Sequence, residues 1–170
     1  MKTNSYLIKY AKAQIGKPYW YGTYGQISSP ALLKAKKKQY PKYYKATDFK
    51  KQMNVKVHDC AGLVKGAAWS TTPTAPAKYN RKQDYGATGL YNASKKKGTI
   101  STFDKVNGRL LYKGNKLKKT HVGVYDSGYV IHAKGHKYGV VKEKYSYKKW
   151  QYWSQCSLFK ETVEKTESKE

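Results

Sequence analysis

Leu7, Ile8, Ala11 and Ile15 recur at helical spacing behind Thr3 and Asn4, two residues able to cap a helix, and Gly16 followed by Pro18 halts the pattern. The spacing predicts a first amphipathic helix. Ser29-Pro30 reads as the cap and first turn of a second, lysine-rich helix that Pro41 ends, and a further short helix is predicted from near Thr47. Asp59 is the predicted cap of Cys60-Ala61-Gly62-Leu63-Val64-Lys65-Gly66-Ala67-Ala68-Trp69, whose small residues let a helix lie close against a sheet. Past a loop with Pro73 and Pro76, Asp84 is the predicted cap of a helix running to about Lys97 and stopping at Gly98. The period then changes. Short β-prone runs at 109–112, 121–125, 129–133, 138–141 and 157–159 are separated by turn pairs such as Asn107-Gly108 and Ser127-Gly128. Helices first and antiparallel strands later predict an α+β domain.

The hairpin around Ser127-Gly128 carries the first hint of chemistry. A two-residue turn pairs Asp126 with Tyr129 and therefore Gly123 with His132; by alternation His121 shares a face with Gly123, so both imidazoles project from one side of the sheet. Gly123 beside them leaves room on the strand for a substrate backbone. If the helix starting at Cys60 packs on that face, its first turn places a thiol where N–H groups and the helix dipole favour the thiolate. A nucleophile, a base and an orienting group would then be assembled. Each residue alone has a plainer reading: a single cysteine is often a small buried hydrophobe, and a single histidine a core or surface residue. The conjunction is what points to catalysis.

Composition narrows the setting. At 170 residues the chain has the size of one domain, and 39% hydrophobic content suffices for one modest core. No apolar run approaches a membrane span, and Lys9 and Lys12 interrupt the opening apolar run, so no secretory leader is read; the expectation is synthesis in the cytoplasm with both Cys60 and Cys156 as free thiols. The net charge of +25 comes almost wholly from lysine, Arg81 and Arg109 being the arginines. Lysine surfaces attract polyanions without reading base edges, so specific nucleic-acid binding is not expected, and an anionic wall polymer is. There is no His-Glu-x-x-His, Cys-x-x-Cys or EF-hand pattern, and no metal or other cofactor is expected. The protein is expected to be a monomer.

The residues also carry a family likeness. Gly16-Lys17-Pro18-Tyr19-Trp20-Tyr21-Gly22 resembles the Gly-x-Pro-Tyr-aromatic entry of the NlpC/P60 family, Asp59-Cys60-Ala61-Gly62-Leu63-Val64 its nucleophile motif, and His121-Val122-Gly123-Val124-Tyr125 its histidine strand. Tyr129-Val130-Ile131-His132-Ala133 matches the following strand, which bears the family's third polar residue. The resemblance implies a papain-like α+β fold over residues 1–160, with the nucleophile helix packed on an antiparallel sheet and a basic insertion at about 26–58, and a charged tail or linker stub at 161–170. It implies that Cys60 attacks a peptide carbonyl, His121 carries the proton and His132 orients it, with His136 the other candidate for that third position. Asp59 and Tyr24 are expected to touch substrate, and His58 to lie at the cleft edge. The implied function is a cysteine endopeptidase acting on bacterial peptidoglycan, often after D-γ-glutamate, in the manner of a phage endolysin. Two alternatives remain: an N-acetylmuramoyl-L-alanine amidase of the CHAP type, and a noncatalytic basic module binding wall polymer or nucleic acid through interleaved Lys and Tyr.

Overall fold

In the computed structural model, which describes residues 1–161, helix α1 (Asn4–Gln14) starts where the Thr3 side chain accepts the Tyr6 N–H at 3.3 Å. Its buried stripe is Leu7, Tyr10, Ala11 and Gln14, while Ile15 is exposed, so the expected face is rotated toward Tyr10. The reason is that Tyr10 finds a partner inside: its hydroxyl meets His58 Nε2 at 2.7 Å. Strand β1 (Tyr24–Ile27) follows the aromatic loop. Helix α2 (Pro30–Gln39), capped by Ser29, and two single 3₁₀ turns at Pro41–Tyr43 and Phe49–Lys51 come next, and β2 (Lys56–His58) returns antiparallel to β1.

The basic segment 26–58 is therefore pinned at both ends by one hairpin. Ser28 N–H donates to Val55 C=O at 2.8 Å, and a small core of Trp20, Leu33, Tyr44, Phe49 and Val57 ties the segment to the aromatic loop. The β1–β2 pair was not legible in the sequence, because Lys56-Val57-His58 has only one aliphatic residue. Both flanking residues are nevertheless buried.

Helix α3 (Cys60–Trp69) is buried along almost its whole length and packs with α1 and α4 (Ala87–Ala93) on a six-stranded antiparallel sheet. The strands are β3 (Lys96–Thr99), β4 (Leu110–Gly114), β5 (Lys119–Asp126), β6 (Tyr129–Gly135), β7 (Gly139–Lys144) and β8 (Tyr152–Gln155), in the order β3-β8-β4-β5-β6-β7. The α+β class and helix-on-sheet layering follow the sequence expectation. The opposite sheet face carries a separate cluster of Leu111, Tyr125, Val130, Trp150 and Trp153. Among the described residues no helix is long and apolar enough to cross a membrane.

Three expected elements differ. The helix placed from Asp84 to Lys97 is only α4, with Gly86 at its cap, because the Asp84 carboxylate is taken by Lys65 (2.6 Å) and Tyr79 (2.9 Å). Lys96 and Lys97 instead form an edge strand, where pairing with Gln155 and Ser154 satisfies their backbone groups. The strand expected at 157–159 lies earlier, at β8, and Ser157-Leu158-Phe159 turns to bury Phe159. Glu161, the first residue of the expected tail, pairs with Lys96 and Arg109, both at 2.9 Å; residues 162–170 lie outside the described residues.

Candidate active site

Asp59 begins the site as a helix cap that does two jobs. Its Oδ1 accepts the Gly62 N–H at 2.7 Å, closing the first turn of α3, and its Oδ2 accepts the Gly22 N–H at 2.9 Å from the aromatic loop. The loop can sit this close only because Gly62 lacks a side chain: a Cβ there would lie 1.9 Å from the Thr23 carbonyl oxygen. Gly66 is similarly confined, with the Tyr24 carbonyl oxygen 2.9 Å from where its Cβ would be. The small residues of α3 thus serve close packing, though mainly against the loop and β1.

Cys60 opens α3 as a partly exposed free thiol, while Cys156 is buried and free. The backbone N–H of Val122, the residue after His121, acts on the Cys60 sulfur so as to favour the thiolate. The hairpin is built as the turn chemistry predicts. Ser127 and Gly128 both have positive φ, as a two-residue type I′ turn requires, and the ladder runs Asp126↔Tyr129, Tyr125↔Val130 and Val124↔Ile131. Carried one step further, that register sets Gly123 opposite His132. The rings of His121 and His132 then meet, Nε2 to Nδ1, at 2.7 Å.

Two expectations about this face need correction. The histidines do not share a face with α3, because that helix packs on Val122, Val124, Ile131 and Ala133, the alternate residues. Both imidazoles lie instead against Trp150, at ring distances of 5.8 and 5.4 Å. The thiol reaches the hairpin through the strand backbone at Val122, just where the β5–β6 ladder has ended. Nor is the space at Gly123 free for substrate. A Cβ there would meet Val130 Cγ1 at 2.6 Å and Trp150 at 3.1 Å, so the glycine makes room for the indole.

Electrostatics also departs from the sequence reading. The Cys60 thiol is pushed up to about 12, first by burial and then by the Asp59 charge; the N–H groups of Val122, Ala61 and Cys60 pull the other way and lose. The helix start therefore does not produce a resting thiolate. His121 is pushed down to about 3, by burial first and then by His132 and Lys113. Burial thus opposes the charged form of both the thiol and the imidazole, which disfavours a stored ion pair between them.

Sequence reasoning missed Glu143, whose Oε1 lies 2.7 Å from His132 Nε2 and whose Oε2 accepts from Lys134 at 2.8 Å. Strand alternation held the clue: β7 pairs Val130 with Glu143 and His132 with Val141, so Glu143 rises on the histidine face. His136 is elsewhere. It bonds Asp48 at 2.6 Å and stacks on Phe49, clamping the basic segment to the β6–β7 turn.

Asp59 and Tyr24 line one cavity of about 340 Å³ together with Tyr21, Lys65, Tyr79 and Asp84, and Lys36, Gln39 and Tyr40 of the basic segment supply another wall. That segment therefore shapes a space bordered by Asp59, the residue before Cys60 in the chain.

His58 is not at the cleft edge; it is completely buried behind α3, with Nδ1 unpartnered. Its partner Tyr10 and the small helix residue Gly66 draw it inward. Burial, then the charges of Lys56 and Lys17, push it down to about 3 from 6.5. Because the folded value is the lower one, the unfolded chain takes up the proton first, and stability falls as pH drops from 6.5 toward 3. We expect this group to contribute a loss of about 3 kcal/mol between pH 7 and pH 4, seen in urea midpoints. H58Q should shrink that loss; an unchanged drop would refute the assignment.

No protein-family model matches the sequence, and neither does any curated protein. Solved structures do match the fold. The NlpC/P60 domain of the peptidoglycan hydrolase SagA superposes with a TM-score of 0.51 at 16% identity, covering 89% of this chain and 97% of that one. The P60 domain of an antigen from M. avium subspecies paratuberculosis gives 0.53 at 18%, covering 89% and 93%. The peptidoglycan hydrolase RipB from Mycobacterium tuberculosis gives 0.51 at 19%, covering 89% of this chain and 63% of that one.

Proposed function

We propose that this chain, whose fold is that of the NlpC/P60 domains, is a peptidoglycan hydrolase: a cysteine endopeptidase that cuts the stem peptide of the bacterial wall after D-γ-glutamate. The observation that carries the reading is the histidine pair whose rings meet at 2.7 Å, together with the N–H of Val122, the residue after His121, which acts on the thiol at the start of α3. In this reading substrate binding displaces water, and the Cys60 proton passes to His121 as the sulfur attacks the peptide carbonyl. The tetrahedral intermediate collapses to a thioester while His121 returns the proton to the departing amine. Water, deprotonated by the same imidazole, then attacks the thioester, releasing the acid and restoring the thiol. His132 holds His121 throughout.

Asp59, next to Cys60 in the chain, and Tyr24 line one 340 Å³ cavity, which supports their assignment as substrate contacts. The net charge of +25 supports attraction to anionic wall polymers, in keeping with use as an endolysin. That attraction should weaken with salt as the charges are screened. Lysis of Gram-positive walls that is constant from low to high salt would count against it.

The bond is tested by mass spectrometry of digested, purified peptidoglycan. We expect fragments with a new amino terminus inside the stem peptide. Release of intact stems would instead establish an amidase, and binding without any release would establish a noncatalytic module.

A further inference from the structure

His132 is the only ring in the site bonded at both nitrogens among the described contacts: Nδ1 to His121 and Nε2 to Glu143, each at 2.7 Å. A neutral imidazole donates from one nitrogen and accepts at the other, whereas a carboxylate only accepts. Glu143 is held as a carboxylate, its second oxygen accepting a hydrogen bond from Lys134 Nζ at 2.8 Å, and its contacts with Lys134 and His132 pull its pKa down to about 2. The directions then follow without choice. His132 donates from Nε2 to Glu143 and accepts at Nδ1; His121 must donate from Nε2, so its Nδ1 keeps the lone pair.

We propose that Glu143 is a positioning residue, selecting through His132 the tautomer of His121 that accepts the Cys60 proton. The inference rests on the reading of Cys60 as nucleophile and His121 as base. The chain of bonds Glu143–His132–His121 runs across β7, β6 and β5, one link per strand, and Trp150 packs against both rings. His132 is 1% exposed, so water does not easily substitute for the carboxylate. The charged groups acting on the rings are Lys113 from β4, Lys134 from β6 and Glu143 from β7. Both lysines oppose an imidazolium, and Glu143 favours one. The carboxylate therefore also stabilises the charge that His121 takes on when it accepts the proton.

The test is E143Q, which keeps the shape but removes the charge and lets either an amide N–H or the amide oxygen face His132 Nε2, so that the tautomer is no longer selected. Measured as free amino groups released from purified peptidoglycan, kcat/KM should fall about tenfold to a hundredfold, less than the roughly 10⁴-fold loss known when the acid touching the base itself is replaced. Its acidic limb should move to lower pH, since the lysines are left unopposed. K134A breaks the surface ion pair but leaves the carboxylate, and its acidic limb should move to higher pH. In ¹⁵N imidazole spectra His121 should show Nδ1 unprotonated in the parent chain and a tautomer mixture in E143Q. If Glu143 serves only the ion pair with Lys134, the two variants will behave alike, and the proposal is overturned. It is equally overturned if E143Q matches the parent in rate and acidic limb while C60A is inactive. Activity surviving in C60A would instead defeat the underlying nucleophile assignment.

Discussion

C60A should lose all measurable wall digestion, a fall of about 10⁴-fold or more, with its fold intact. With Cys60 as the proposed nucleophile, the size follows from how covalent catalysis fails: removing a nucleophile costs nearly as much as removing the whole catalytic unit. The fold should survive because Cys60 is only partly buried and its side chain packs at the edge of the main core. Circular dichroism and melting temperature near the parent values, with no release of new amino termini from peptidoglycan, would meet the expectation. C60S refines it. Since the parent thiol already sits at about 12, the site offers little help to an anion at rest, and a serine hydroxyl, harder still to ionise, should be close to inactive. Wall lysis persisting in C60A would mean that another group attacks.

G62A should be the most damaging single methyl in the molecule for stability. The added Cβ would sit 1.9 Å from the Thr23 carbonyl oxygen and 2.8 Å from Asp59 Oδ1, and neither neighbour can yield cheaply. Thr23 is buried, and its C=O accepts the Asp59 N–H at 3.0 Å; Asp59 in turn bridges Gly62 and Gly22. Relieving the clash requires breaking the cap or lifting the aromatic loop. Overpacking of this kind costs about 3 kcal/mol or more, well above the helix-propensity gain of alanine over glycine, which is about 1 kcal/mol. For a chain of this size the melting temperature should drop by roughly 6–12 °C. Activity per folded molecule should fall too, because Gly22, Tyr24 and Asp59, which the clash would displace, line the same cavity. A melting temperature within about 2 °C of the parent would show that the loop adapts freely, contrary to the close contact seen here.

The local signals that proved legible are those encoded over a few residues. Thr3, Ser29 and Asp59 act as caps where their spacing placed them, since a cap depends only on a side-chain oxygen and an N–H three residues on. Ser127-Gly128 makes the two-residue turn, and that turn alone sets which residues of β5 and β6 face each other. The histidine pair was therefore foreseeable from sequence. Glu143 was foreseeable in principle, but its register depends on the β6–β7 connection, where the pairing shifts between Ala133 and Gly135, and no short turn pair announces that irregularity.

The amino-acid sequence by itself determined the α+β order, the helix beginning at Cys60 and the meeting of His121 with His132, because each rests on hydrogen bonds between near neighbours. Tertiary structure alone decided which sheet face α3 covers, how far burial raises the Cys60 thiol, that His58 is sealed behind α3 and that Glu143 completes the chain of bonds. Those outcomes depend on desolvation and on contacts between segments far apart in the chain, and neither quantity exists until the whole core has closed.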